Sequence, residues 1–233
     1  MVAAMNWREY WNRDTPIYVS DRHKVLHYWL IANDIAAMIP SPDAAVLDHG
    51  CGEALSANRV AARCAHLYLC DAAPLVRERL EQRFKNELRI SVIAPEDVEG
   101  LARQSLDLIV VNSLVQYLSL DEFRHLLGTW RAKLKPDGRL VLADVIPPDV
   151  SPITDAKALL SFAWQGGFVV HAALGLARTI FSDYRKVRGE LGLAQYEEAE
   201  MIELLSDMGF SAERRKLNMG HNQARMTFVA RPA

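Results

Sequence analysis

Short apolar runs alternate along the chain with segments whose apolar positions recur every three or four residues. AVLDHG (45–50), HLYLCDA (66–72), ISVIA (90–94), LDLIVVN (106–112) and RLVLADVI (139–146) have the length and continuity of strands buried on both faces. Between them, LSANRVAARC, PLVRERLEQRF and DEFRHLLGTWRAKL have helical spacing. Pro74 suits a first turn, and KPDG reads as a helix stop and turn. Strands joined by helices predict right-handed crossovers and a parallel sheet. The end of the chain departs from this pattern. After the helical EEAEMIELLSDMGF, two β-like runs, AERRKLN and ARMTFVARP, are separated only by MGHNQ. A link that short holds no crossover helix, so the two strands run antiparallel. The expected fold is α/β: a doubly wound, mostly parallel sheet of seven strands with a C-terminal antiparallel hairpin.

Length and composition narrow the reading. The 233 residues suit a single domain, 1–233. A net charge of −2 provides no basic footprint, so nucleic acid is not the expected partner. Three cysteines form no disulfide framework and suit a reducing cytoplasm. The opening MVAAMNWREYWNRDTP lacks the apolar core of a secretory signal. Residues 158–177, ALLSFAWQGGFVVHAALGLA, carry no charge and are bracketed by Lys157 and Arg178. Ser161, Gln165, Gly166, Gly167 and His171 weaken a bilayer-spanning signal. A helix or broken helix pair packed on the domain or on a second subunit is the first expectation. Membrane-surface contact is the alternative, which would make a cytoplasmic protein peripheral to the membrane.

The candidate chemistry begins at VLDHGCGEAL (46–55). The loop after the first strand of a doubly wound sheet lies at the carboxyl edge, where ligands bind. Gly50 and Gly52 keep side chains out of that loop. About twenty residues on, the second strand ends in Asp71, placed to accept from the hydroxyls of a ribose. A nucleoside-containing ligand follows. The dinucleotide fingerprint needs a third glycine where Leu55 stands, and Glu53 would repel a pyrophosphate.

VLDHGCGEA resembles the first motif of the class I S-adenosylmethionine-dependent methyltransferases. LYLCDAA, SLDLIVVNSLVQYL, LKPDGRLVLADV and LLSDMGF before the closing hairpin extend the resemblance over residues 44–148 and 196–231. It implies S-adenosyl-L-methionine as cofactor and a small-molecule acceptor. Gly50, Cys51 and Gly52 would meet the methionine portion and Asp71 the ribose. Ala72 would lie near the adenine, with Asp97 (or Glu96) on its amino group and Val98 against the ring. Asn112 and Ser113 would face the cofactor. Two positions depart from the family pattern: Ala54 replaces the last motif glycine, and His49 stands where an apolar residue is usual.

Methyl transfer from a sulfonium is an in-line displacement that relies on alignment, and a hydroxyl acceptor also needs a base. Tyr117, His171 and His221 are candidates, each with an ordinary structural reading beside it. The resemblance implies that the aromatic-rich segment, residues 1–40, forms a helical lid, with Tyr18 or Arg22 touching cofactor or substrate. Residues 149–195 are expected to form an apolar helical insertion shaping a pocket for a hydrophobic or aromatic acceptor, with Trp164 and Phe168 in its wall. The competing readings are a non-catalytic cofactor-binding or scaffold protein and, less favoured, a nicotinamide-dependent oxidoreductase.

Overall fold

The computed structural model describes Trp7, Asn12 and residues 18–180 and 193–233. Its sheet has seven strands: β1 (Ala45–His49), β2 (His66–Cys70), β3 (Ile90–Ile93), β4 (Leu106–Asn112), β5 (Leu134–Val145), β6 (Phe210–Arg214) and β7 (Met226–Pro232). Their order is β3-β2-β1-β4-β5-β7-β6. The first five are parallel, and β7 pairs antiparallel with both β5 and β6. This is the Rossmann-like arrangement expected from the pattern, with the reversed strand inserted one place from the edge.

The helices are α1 (Asp21–Met38), α2 (Ala57–Ala61), α3 (Pro74–Phe84), α4 (Pro95–Gly100), α5 (Leu120–Lys133), α6 (Pro152–Gly166), α7 (Val169–Ile180) and α8 (Glu198–Asp207). Alternate residues of each central strand feed opposite cores. Val46, Leu108, Val110 and Val141 pack with Ile31, Ile35 and Met38 of α1. Leu47, Ile109, Val111 and Leu140 pack with Phe123, Leu127 and Trp130 of α5 and with Met201 and Leu205 of α8. Because β1 and β4 are covered on both faces, they read as unbroken apolar runs.

Three boundaries differ from the sequence reading. KPDG joins β5 instead of ending a helix, because Leu134 pairs with Leu106 before a bulge lets the register resume at Leu108–Arg139. Strand β6 ends at Arg214, and Leu217 and Asn218 leave the ladder. Asn218 is buried: its side chain accepts from Asp144 N (3.2 Å) and Thr227 Oγ1 (2.7 Å) and donates to the Asn222 carbonyl (2.9 Å). Helix α2 is five residues long and begins at Ala57, not near Leu55.

Residues 158–177 form a helical hairpin, α6 turning into α7 at Gly167 (φ 71°). Among the described residues no helix is long and apolar enough to cross a membrane. Ala163, Phe168 and Ala172 make a small core with Val19, Leu26 and Phe162, the packed helix pair of the first expectation.

Candidate active site

The glycine loop is built by hydrogen bonds from its neighbours. Gly50 and Cys51 donate to the Cys70 carbonyl at 2.8 and 3.1 Å. Gly52 N donates to Asp71 Oδ2 and Ala73 N to Oδ1, both at 2.9 Å. Gly50, Cys51, Gly52, Asp71 and Ala72 are thus brought together at the carboxyl ends of β1 and β2. Cys51 is buried, and burial followed by the neighbouring Asp48 and Asp71 pushes its thiol well above the usual range. It fills space behind the loop and is not a nucleophile. His49 is also structural. Its Nδ1 accepts from Trp130 Nε1 at 3.1 Å, and burial lowers its pKa to about 4.

Asp48, in sequence only a part of the glycine motif, shapes the local field. Burial, and then the charge of Asp71, raise its pKa to about 7. Burial raises Asp71 too, while the Ala73 and Gly52 amides and Arg77 oppose that rise. Two carboxylates this close do not both ionise easily. The one supplied with amide donors is Asp71, so it carries the charge. Ala54 adopts φ 38°, the conformation that the glycine of the resembling motif would take without cost.

α1 reaches into this loop. The Tyr28 hydroxyl accepts from Glu53 N at 2.9 Å and hydrogen-bonds Tyr18. A Cβ placed on Gly52 would stand 2.7 Å from that hydroxyl. Burial pushes the Tyr18 phenol up to about 12. Lys24 of α1 pairs with Glu53, and Arg83 of α3 donates to the Glu53 carbonyl. Arg22 points elsewhere: its Nε caps α6 by donating to the Gly166 carbonyl.

At the ends of β4 and β5, Asn112 Nδ2 donates to Ser113 Oγ (3.2 Å), which donates to Asp144 Oδ2 (2.7 Å). Ser113 and Asp144 both have positive φ, 56° and 58°, the local strain common at functional edges. Two buried acceptors here, Asn112 Oδ1 and Gln116 Oε1, have no partner among the described residues. A buried acceptor left so costs about 1–3 kcal/mol, which a ligand donor would offset.

Other expected residues lie apart from this edge. Asp97 is exposed and accepts from Ala94 N at 2.9 Å as the cap of α4, and Val98 is buried in the core below it. Tyr117 stacks on Trp7, with centroids 6.2 Å apart. His171 is exposed on α7. Of the aromatic residues in the expected lid segment 1–40, Tyr10 and Trp11 fall outside the described residues.

A cluster of imidazoles and rings stands beside the glycine loop. His23 and His27, one turn apart on α1, meet His221 of the β6–β7 connection, with centroids 6.2–6.5 Å apart. His221 stacks on Phe162 (4.5 Å) and His23 on Phe168 (5.1 Å), while Tyr18 and Tyr28 close the cluster at His27. The spacing of His23 and His27 was visible in the sequence. Their meeting with His221 depends on the fold and left no local signal. The connection is fixed in place by Gly220 N donating to Asp34 (2.8 Å) and by the Arg225–Asp155 ion pair (2.8 Å).

Burial, and then proximity to His221, lower His23 to about 4; burial and then the other two imidazoles lower His27 to about 3. The fold thus favours neutral rings, whereas the unfolded chain takes up protons near 6.5. This contribution to stability is complete above about 6.5 and is lost as pH falls toward the folded values. Asp48, raised, acts in the opposite sense. His27→Phe should therefore flatten the acid limb of stability relative to wild type. Denaturant unfolding at a series of pH values checks this, and equal slopes would contradict it.

Residues 46–138 match the family model of a methyltransferase domain. Over these residues the chain is similar to that family. It aligns at 32% identity over 105 residues with a Salinispora arenicola protein named probable non-canonical nonribosomal peptide synthetase CymA, covering 43% of this chain. The aligned part spans only 1% of that relative's length. The chain also superposes on solved structures. A chain from the Haloferax volcanii complex of the Trm112 methyltransferase activator gives a TM-score of 0.62 at 15% identity, over 98% of both chains. Magnesium protoporphyrin IX methyltransferase from Synechocystis PCC 6803, with bound SAH, gives 0.59 at 18% identity, over 98% of this chain and 93% of that one. These likenesses are of fold.

Proposed function

We propose that the protein transfers a methyl group from S-adenosyl-L-methionine to a small hydrophobic or aromatic acceptor. The observation that carries this reading is the joining of Gly50, Cys51 and Gly52 to a buried Asp71 at the carboxyl edge of a methyltransferase domain. These residues suit the cofactor. Each Asp71 oxygen already accepts one amide, and a carboxylate oxygen can accept a second donor from a ribose hydroxyl. Ala72 continues from Asp71 toward the adenine side. Asn112 Oδ1 awaits a donor, with Ser113 beside it. Val98, being core, would support the adenine site from beneath, and Asp97 would have to give up its cap to reach the amino group. The cofactor supplies an activated methyl; the chain's task is to bind, align and exclude water.

On this reading, α1 is the lid and the α6–α7 hairpin shapes the acceptor pocket. Tyr18, His23, His27, Tyr28, Phe162 and His221 form the acceptor side, next to the glycine loop through Tyr28. Such a surface suits a flat or apolar acceptor. The neutral imidazoles can accept a hydroxyl proton, which makes His221 a better placed base than Tyr117 or the exposed His171.

The test is transfer of isotope-labelled methyl from S-adenosyl-L-methionine to a panel of phenols, apolar amines and sugars. Labelled phenolic or apolar products are expected. Label on sugars only would overturn the acceptor class, and cofactor binding without label on any acceptor would favour the non-catalytic reading.

A further inference from the structure

The two halves of α1 are held by different chemistry. Ile31, Ala32, Ile35 and Met38 belong to the core on one face of the sheet. Between Asp21 and Leu30 only His23 is buried, and this half is held by the ring cluster. His23 and His27 meet His221 of the β6–β7 connection at centroid distances of 6.2–6.5 Å. His23 Nδ1 also accepts from Val19 N at 3.3 Å, and Val19 sits against Gly175 of α7. The same half carries Tyr28, whose hydroxyl stands over Gly52 and accepts from Glu53 N. What fastens the rings therefore also fastens the cover of the glycine loop.

The surroundings suit neutral rings only. On the α1 side stand Tyr18, Arg22, Lys24, Tyr28 and Asp34; across from them stand Glu53 of the glycine loop, Asp155 of α6 and Arg225 at the start of β7. Each acid among these is already engaged. Glu53 pairs with Lys24, Asp34 accepts from Gly220 N, and Asp155 accepts from Arg225 and Asn222. The α6–α7 hairpin packs Phe162 and Phe168 on the imidazoles. A proton on His23 Nδ1 would remove the acceptor that holds Val19 N. Protons on two of the rings would set like charges about 6 Å apart in an apolar setting.

We propose that His23, His27 and His221 form a pH-sensitive latch: acidification releases the first half of α1, hinged near Ile31, and uncovers the glycine loop. The latch stands on the cluster, whereas its control of a cofactor site rests on the methyl-transfer reading. When the latch is closed, burial and neighbouring imidazoles hold His23 at about 4 and His27 at about 3, and burial lowers His221. Released into water, the rings titrate near 6.5. Opening therefore takes up protons below about pH 6.5 and gains nothing above it. At about pH 5.5 each released imidazole raises the opening constant about tenfold. Asp48, raised to about 7, opposes this with at most one proton against up to three.

The experiment is amide hydrogen exchange of the full chain at about pH 7.5 and 5.5, corrected for the intrinsic exchange rate and read separately for Asp21–Leu30 and for β4. In wild type the first half of α1 should lose protection on acidification while β4 keeps its own. In His23→Phe combined with His27→Phe, which keeps rings at both positions, the pH-dependent loss should be about a hundredfold smaller. If that variant does not fold, His27→Phe alone should differ from wild type by about tenfold. Protection of α1 that acidification leaves unchanged, a loss shared equally by β4, or an equal pH response in wild type and variant would overturn the proposal. S-adenosylhomocysteine added at about pH 7.5 should slow exchange in α1. A pH response of α1 without any effect of S-adenosylhomocysteine would leave the latch intact and remove the methyl-transfer reading instead.

Discussion

Gly52→Val should lose about a hundredfold or more of S-adenosylhomocysteine affinity. Two effects add. Gly52 has φ 57°, a region that a β-branched residue enters at a cost of about 1–3 kcal/mol. Its new Cβ would also stand 2.7 Å from the Tyr28 hydroxyl. That hydroxyl cannot simply withdraw, because it accepts from Glu53 N and is bonded to Tyr18. The loop must then shift, and with it the amide that Gly52 donates to Asp71. The collision is specific to one atom, so Gly52→Ala combined with Tyr28→Phe should recover part of the affinity lost in Gly52→Ala alone. Normal cofactor binding by Gly52→Val in calorimetry would show that the loop does not have this geometry.

The elements legible in the sequence were those set by local pattern. Buried strands such as LDLIVVN and the amphipathic α5 declare themselves through period, and the closing hairpin through the brevity of its link. The glycine pair and Asp71 were legible because their spacing follows from strand, turn and helix lengths. What was missed depends on contacts between distant positions. KPDG joins β5 because a bulge against Leu106 absorbs it, and β6 ends early because Asn218 is drawn into side-chain bonds with Asp144 and Thr227. The Tyr28 hydroxyl at Gly52 and the meeting of His221 with α1 arise from packing between remote segments. Asp48 is only part of the glycine motif in sequence; its burial beside Asp71 is what makes it hold its proton more tightly. Trp164 and Phe168, placed together in the acceptor wall by sequence, separate in the fold. Phe168 is buried on His23, and Trp164 points outward.

The cofactor reading rests on Asp71, and its removal is the second large effect. Asp71→Ala deletes a carboxylate that holds the Gly52 and Ala73 amides and is placed to accept from ribose hydroxyls. Hydrogen bonds to a charged acceptor contribute about 1.5–3 kcal/mol each, and a loss of even one such bond amounts to about tenfold or more in affinity. Folding should survive. The site is at the sheet edge, and removing a charge beside Asp48 relieves that buried acid. Asp71→Asn, which keeps one acceptor oxygen, should fall between the two. The decisive measurement is calorimetric titration of S-adenosylhomocysteine into wild type and Asp71→Ala, with thermal unfolding of both. The account predicts saturable binding by wild type and an affinity at least about tenfold weaker in a folded variant. No binding by folded wild type, or equal affinity in the two proteins, would contradict it.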